Sequence, residues 1–362
     1  MENMVNPDRE FWHDRAVFVT GHTGFKGTWL SHWLQRLGAR VSGYSLAPPS
    51  QPALFDLVTK DTLWHHTSGD IRNLVQLSAA MMAAQPSVVF HLAAQPLVRA
   101  SYDDPVKTFS TNVMGTVNLL EAVRAASSVR AVVNVTSDKC YENYNGDRAY
   151  REDDPMGGFD PYSSSKGCVE LLTSAYRRSF FSAPKTATAI ASARAGNVIG
   201  GGDWGADRIV PDCVRAFQAS ETVMIRNPMA TRPWQYVLDP LCGYLLLAER
   251  LAQGESRDEY AEGWNFGPGE DDALPVDELI EIIVSLWGPG ASWAHHREAQ
   301  PHEATYLKVD ASKAHARLAW RHRLPVKEAL AWTIDWYLRQ GDGENATNLC
   351  DEQIERFEAV VQ

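Results

Sequence analysis

Cysteine is scarce in this 362-residue chain, and its five copies (Cys140, Cys168, Cys213, Cys242 and Cys350) are scattered. An odd number with no CxxC spacing argues against a disulfide framework or a zinc site and reads as reduced thiols in a cytoplasm. No apolar run is long enough to span a membrane, and the first ten residues lack the apolar core of a signal peptide. Positive charge is in deficit: 34 Lys and Arg stand against 45 Asp and Glu, a net of -11, which argues against nonspecific nucleic-acid binding. No cluster of histidines and carboxylates looks like a metal site, so no metal is expected. Internal repeats, low-complexity tracts and a clear linker are also missing. What is present, 44% hydrophobic and 22% charged residues, is globular composition, with length for two domains or one large domain and an appended lobe.

The strongest local signal is an apolar strand, Ala16-Val-Phe-Val-Thr20, running into Gly21-His-Thr-Gly24-Phe-Lys-Gly27. Glycine at every third position lets the chain turn sharply and lets a pyrophosphate approach bare amides at a helix N-terminus. The spacing predicts a helix starting on the third glycine, with Phe25, Trp29, Leu30, Trp33, Leu34 and Leu37 on one face and Gly38 as its stop. Further strands are expected at Arg40–Ser45, Ser87–Leu92, Ala131–Thr136 and Thr186–Ser192. Helical patterns lie between them, the clearest placing Val106, Phe109, Val113, Val117 and Leu120 on one face. Such alternation implies a parallel sheet covered on both sides. After Asn197 the pattern loosens: Gly200–Gly205 and the polar stretch Arg226–Trp234 read as binding loops. Helical patterns resume at Leu238–Leu251, Pro275–Trp287, Ala311–Leu318 and Val326–Leu338.

An expected cofactor feature is absent. The second strand ends in Tyr44-Ser45-Leu46, with neither the acid that holds ribose hydroxyls nor an arginine for a 2′-phosphate, which leaves NAD and NADP both open. Asp70, in Gly69-Asp70-Ile71 after a possible third strand, is placed to accept from an adenine amino group. Ala93 and Ala94, in His91-Leu-Ala-Ala-Gln95, are small enough for close approach of a cofactor.

Two segments carry chemistry. In Asp160-Pro-Tyr162-Ser-Ser-Ser-Lys166, Asp160 caps a helix, Pro161 opens it, and Tyr162 and Lys166 share a face one turn apart. A lysine ammonium together with an oxidised nicotinamide can lower a phenol enough for it to act as a base. In Thr136-Ser137-Asp138-Lys139-Cys140-Tyr141, directly after the fifth strand, Ser137 can bond the reacting hydroxyl. Asp138 and Lys139 there form a titratable pair that a simple dehydrogenase would not need.

With these stretches, His91–Arg99, Arg194-Ala-Gly-Asn-Val-Ile-Gly-Gly-Gly-Asp-Trp204 and Thr231-Arg-Pro-Trp-Gln235, the chain resembles the extended short-chain dehydrogenase/reductase family. Within its sugar-nucleotide branch it is similar to the CDP-glucose 4,6-dehydratases, over nearly its whole length. The resemblance implies an α/β fold: a Rossmann-type doubly wound parallel sheet with a smaller C-terminal substrate-binding lobe. Residues 1–196 would form the cofactor domain, with 235–260 returning to it, and 197–234 with 261–362 the lobe. It implies NAD as cofactor, held by Gly21, Thr23, Gly24, Phe25, Lys26, Gly27, Ser45, Asp70, Ile71, Ala93, Ala94, Tyr162 and Lys166. It also implies CDP-glucose as substrate, with Asn197, Arg208, Arg232 and Asn265 on the diphosphate and His302 on the nucleotide. The implied reaction is redox-neutral: oxidation at C4 with Tyr162 as base, loss of water from C5 and C6, and return of hydride to C6. Asp138 would be the acid toward the C6 hydroxyl. Lys139 stands where dTDP-glucose dehydratases carry a glutamate base, so it is either a neutral base at C5 or a cation that stabilises the enolate. Relatives pair through helices around Val106–Ala126 and Tyr162–Phe181, implying a homodimer, with a tetramer open. Two other readings stand: a 4-epimerase or a dehydratase for another nucleotide sugar, and a non-catalytic dinucleotide-binding regulator.

Overall fold

The computed structural model describes residues 4–58, 65–144, 146, 148–182, 187–253, 257–269, 272–296 and 307–360; Thr186 and His302 therefore lie outside the described residues. Its strands are β1 (Ala16–Thr20), β2 (Arg40–Ser45), β3 (His65–Ser68), β4 (Val88–His91), β5 (Ala131–Val135), β6 (Ala189–Ala195), β7 (Asn197–Ile199), β8 (Val223–Ile225), β9 (Thr231–Tyr236), β10 (Gly263–Phe266), β11 (Ala273–Pro275) and β12 (Trp293–His295). The longer helices are α1 (Phe25–Arg36), α2 (Leu74–Ala84), α3 (Gly115–Ala125), α4 (Pro161–Phe180), α5 (Ile209–Gln218), α6 (Leu238–Ala252), α7 (Val276–Trp287), α8 (Val326–Gly341) and α9 (Ala346–Ala359).

Seven strands form one sheet in the order β10-β6-β5-β4-β1-β2-β3, and every pairing in it is parallel. Because side chains alternate along a strand, successive residues feed opposite cores. Val17 and Val19 join one apolar cluster and Phe18 the other; Val88 and Phe90 oppose Val89 in the same way. The chain order reverses between β1 and β4, so a crevice opens there at the strands' carboxyl ends. This is the doubly wound Rossmann-type sheet expected.

Two boundaries differ from expectation. Strand β10 comes from the segment assigned to the lobe, yet it completes the large sheet beside β6. Its Trp264 and Phe266 are fully buried in the main core, and that burial decides where the segment goes. The polar stretch ending at Trp234 is not all loop either: β9 pairs with β7 and β11 in a three-stranded sheet, while β8 pairs with β12. Helix α9, absent from the sequence pattern, packs back on α1, where His32 and Arg36 meet Asp351 at 2.7 and 2.6 Å.

The stripe from Val106 to Leu120 also departs from its expected role. Leu120 is buried, but Val106 is 78% exposed and Phe109 36%. A π-helical turn at Ser110–Met114 separates the short helix Pro105–Phe109 from α3. The wider turn advances the phase of everything after it, so a uniform 3.6-residue period misassigns the first turn. Tyr102, Val106, Phe109 and Met114 are left as an exposed apolar strip.

Candidate active site

Helix α1 begins at Phe25, two residues before the expected start, with Gly24 as a cap that makes no side-chain hydrogen bond. Its first-turn amides are therefore not covered by a capping side chain, as anion binding at a helix N-terminus requires. Gly21 has φ +75°, and a Cβ there would lie 2.7 Å from the Ala93 nitrogen; one on Gly27 would lie 2.1 Å from the Gly21 carbonyl oxygen. The glycines thus permit a turn that no other residue type could pack, and the cradle fits a pyrophosphate. At the end of β2, Thr23 Oγ1 and Ser45 Oγ are 2.8 Å apart and Thr23 donates to the Leu46 carbonyl at 3.0 Å. Hydroxyls replace the usual carboxylate. Asp70 is gripped by Arg72 at 2.6 Å, which holds its carboxyl below the usual range. Ile71 packs its side chain into the core and its carbonyl accepts from Asn118, so it forms a wall.

Strand β5 delivers Thr136 to Lys139 at the mouth of the crevice. Ser137 donates to Asp138 Oδ1 at 2.9 Å and accepts from the Lys139 amide. The Ser137 hydroxyl also favours the Tyr162 phenolate, so it bears on both the phenol and the Asp138 carboxylate. Asp138 is 1% exposed. Its Oδ2 has no hydrogen-bond partner among the described residues and lies where a Cβ on Gly196 would approach to 3.2 Å. Lys139 Nζ is 3.8 Å from Oδ1. Asp160 caps α4 through Ser163 and Pro161 follows it, setting Tyr162 and Lys166 on the buried face.

The electrostatics of the chain by itself run against ionisation of Tyr162. Loss of solvent pushes Tyr162 up to about 12, against the influence of the Ser137 hydroxyl and with the Asp138 charge. Lys166 lies 6.0 Å from the ring centroid and does not reverse this, so the chain alone keeps Tyr162 a phenol. Burial lowers Lys166 to about 8 against the pull of Glu170. Lys26 is also lowered to about 8, by burial and then by Lys166 and Arg208, while Asp138 and Asp203 oppose the shift. Lys26, in the glycine turn, therefore feels the charges of Lys166, Arg208, Asp138 and Asp203.

Among the residues expected on the diphosphate, Asn197 keeps its Oδ1 buried without a partner among the described residues. Strand pairing sets Asn197 opposite Trp234, two positions from buried Arg232. Arg208 is held by both oxygens of Asp203, at 3.0 and 2.8 Å. Asn265 departs from its expected role. Its Oδ1 accepts from Tyr141, its Nδ2 donates to the carbonyls of Tyr150 and Asp310, and it is fully buried. With every polar atom engaged, it braces the site and does not bind phosphate. Sequence reasoning also passed over Tyr244 on α6, whose buried hydroxyl has no partner among the described residues and which feels Asp138 and Tyr162.

Residues 17–263 match the model of the NAD dependent epimerase/dehydratase family. The chain belongs to that family. Members take NAD, and the glycine turn above is where it fits. A CDP-glucose 4,6-dehydratase of Salmonella typhimurium is 50% identical over 341 residues, covering 93% of this chain and 94% of the relative. Two family folds superpose closely. MoeE5 in complex with UDP-glucose and NAD has a TM-score of 0.75 at 26% identity, covering 90% of this chain and 99% of the other. DesIV, a dTDP-glucose 4,6-dehydratase from Streptomyces venezuelae with NAD bound, has 0.75 at 23%, covering 91% and 99%.

Proposed function

We propose that this chain dehydrates CDP-glucose to CDP-4-keto-6-deoxyglucose. The observation that carries the reading is Asp138: a buried acid with one oxygen unpartnered and the other accepting from Ser137, in the same site as Tyr162. A 4-epimerase eliminates no hydroxyl and needs no such acid, and a binding protein needs none of Ser137, Tyr162 and Lys166. The 50% identical relative supports the choice of nucleotide.

NAD held at the glycine turn would supply the acceptor for the C4 hydride and the donor for its return to C6. Tyr162 takes the C4 hydroxyl proton, and Ser137 offers a path for it toward Asp138. Asp138 protonates the departing C6 hydroxyl so that it leaves as water. Lys139, 3.8 Å from Asp138, takes the C5 proton as the enolate forms and returns it to C5 when the hydride reaches C6, so the proton that leaves with the water is the one taken from the C4 hydroxyl. Arg232 and Arg208 face the diphosphate, since guanidinium groups suit paired phosphate oxygens, and Asn197 offers its unpartnered oxygen to the substrate.

Incubation with NAD and CDP-, dTDP-, UDP- or GDP-glucose, followed by mass spectrometry, tests the reading. Loss of one water from CDP-glucose alone, with no net reduction of NAD, is the expected result. An unchanged mass with altered sugar stereochemistry would make the protein an epimerase; unchanged mass and stereochemistry would make it a binding protein.

The exposed strip of Tyr102, Val106, Phe109 and Met114, with Leu171 exposed on α4, supports pairing of two copies through these helices. Val106→Glu places a charge in that strip. It is expected to halve the mass in light scattering, from twice 40.2 kDa to 40.2 kDa; an unchanged mass would place the interface elsewhere.

A further inference from the structure

One buried ionic network beneath the reacting groups has no assigned part in this scheme. Glu170 lies one helical turn beyond Lys166 on α4 and is 4% exposed. Its Oε1 accepts from the Thr136 hydroxyl at 2.5 Å and from Arg194 Nε at 2.9 Å. Its Oε2 accepts from the Ser192 hydroxyl at 2.6 Å and from Arg194 Nη2 at 2.8 Å. Arg194, on β6, donates its remaining nitrogen to the Tyr141 hydroxyl at 2.6 Å and to the Glu152 carbonyl at 3.2 Å. Thr136 and Tyr141 are the two ends of the segment that carries Ser137, Asp138 and Lys139. A single ion pair therefore grips that segment at both ends and ties it to the helix presenting Tyr162 and Lys166.

Stability does not account for this arrangement, because apolar groups of similar volume commonly replace a buried ion pair without loss. Charge does. Burial works against the Lys166 ammonium, and Glu170 is the carboxylate that offsets it. The other groups facing Lys166 give little help. Cys140 lies on the turn after β5, while Lys26 at the start of α1 and His91 on β4 are themselves depressed by the Lys166 charge. Glu170 in turn is held ionised against its own desolvation by Arg194, Ser192 and Thr136, with Arg177 as a further cationic neighbour.

We propose that Glu170 is a positioning residue for the dehydratase reaction, anchored by Arg194, that keeps Lys166 a cation and holds the Asp138 segment against Tyr162. The inference rests on the dehydratase reading above. A cationic Lys166 is what favours the Tyr162 phenolate, so losing its charge removes the base from the first step.

The test follows single-turnover reduction of NAD by CDP-glucose from neutral to alkaline pH. It compares the wild type with Glu170→Gln, with the Glu170→Gln/Arg194→Met double variant and with Glu170→Asp. In the wild type the rate falls on the alkaline side as Lys166 loses its proton. Without the Glu170 charge that fall moves toward acid by about one pH unit, so the rate drops about tenfold near pH 9 and only about twofold at neutral pH. Glu170→Gln alone strands the Arg194 charge and risks unfolding; the double variant removes both charges and keeps the core neutral. Glu170→Asp retains the charge on a shorter arm and is expected to keep the wild-type alkaline limb at a reduced rate. A double variant slowed by the same factor at every pH, with an unmoved limb, overturns the inference and leaves the dehydratase reading intact. A wild type that does not reduce NAD with CDP-glucose overturns both.

Discussion

Asp138→Asn is expected to stall turnover with reduced cofactor on the enzyme. Asparagine keeps the shape and can still accept from Ser137 through its carbonyl, but it has no acidic proton to give the C6 hydroxyl. General acid catalysis is worth about 10²–10⁴ in rate, so water loss should slow by about a thousandfold. The first hydride transfer, which needs Tyr162 and Lys166, should change by less than about tenfold. The accumulating absorbance of reduced nicotinamide and a sugar nucleotide that has lost two hydrogens but no water are the signature. Dehydration at the wild-type rate would show that another group delivers the proton. Lys139, 3.8 Å away, would be the next residue to change.

Tyr162→Phe is expected to act one step earlier and to abolish reduction of NAD altogether. Ionising at neutral pH a phenol held at about 12 takes about 7 kcal/mol of added stabilisation of the phenolate. The chain alone does not provide this, which restricts Tyr162 to acting as a base in the assembled complex. Removing the hydroxyl should cost about a thousandfold or more in the first hydride transfer. The two variants separate cleanly: Asp138→Asn traps reduced cofactor and Tyr162→Phe never makes it. Full reduction of NAD by Tyr162→Phe would remove Tyr162 from the role of base.

Much of the site was legible because its parts are local. The glycine turn, the Asp160–Pro161 start of α4, the one-turn spacing of Tyr162 and Lys166 and the placement of Ser137 after β5 each lie within a few residues of chain. Glu170 was legible by the same rule, as a carboxylate one turn beyond Lys166, but its meaning depends on Arg194, which arrives from a different strand. Asn265 misled because residue type does not reveal partners. An asparagine suits phosphate, and only the fold shows Tyr141, Tyr150 and Asp310 using all of its hydrogen-bonding capacity. The stripe at Val106 misled for a related reason: a one-residue change of helical phase at Ser110–Met114 carries the first turn out of the core.

By itself, then, the sequence determined the alternation of strand and helix, the dinucleotide turn and the choice of the residues proposed to react. Those depend on periodicity, backbone freedom and side-chain chemistry, which short segments carry with them. Tertiary structure alone decided that β10 completes the large sheet and that α9 folds back onto α1. It also decided that burial pushes the Tyr162 phenol up in the chain by itself, and that Glu170 with Arg194 underlies the Asp138 segment. The physical reason is common to all four. Burial, desolvation and ion pairing are sums over neighbours distant in the chain, and no local pattern encodes which neighbours will meet.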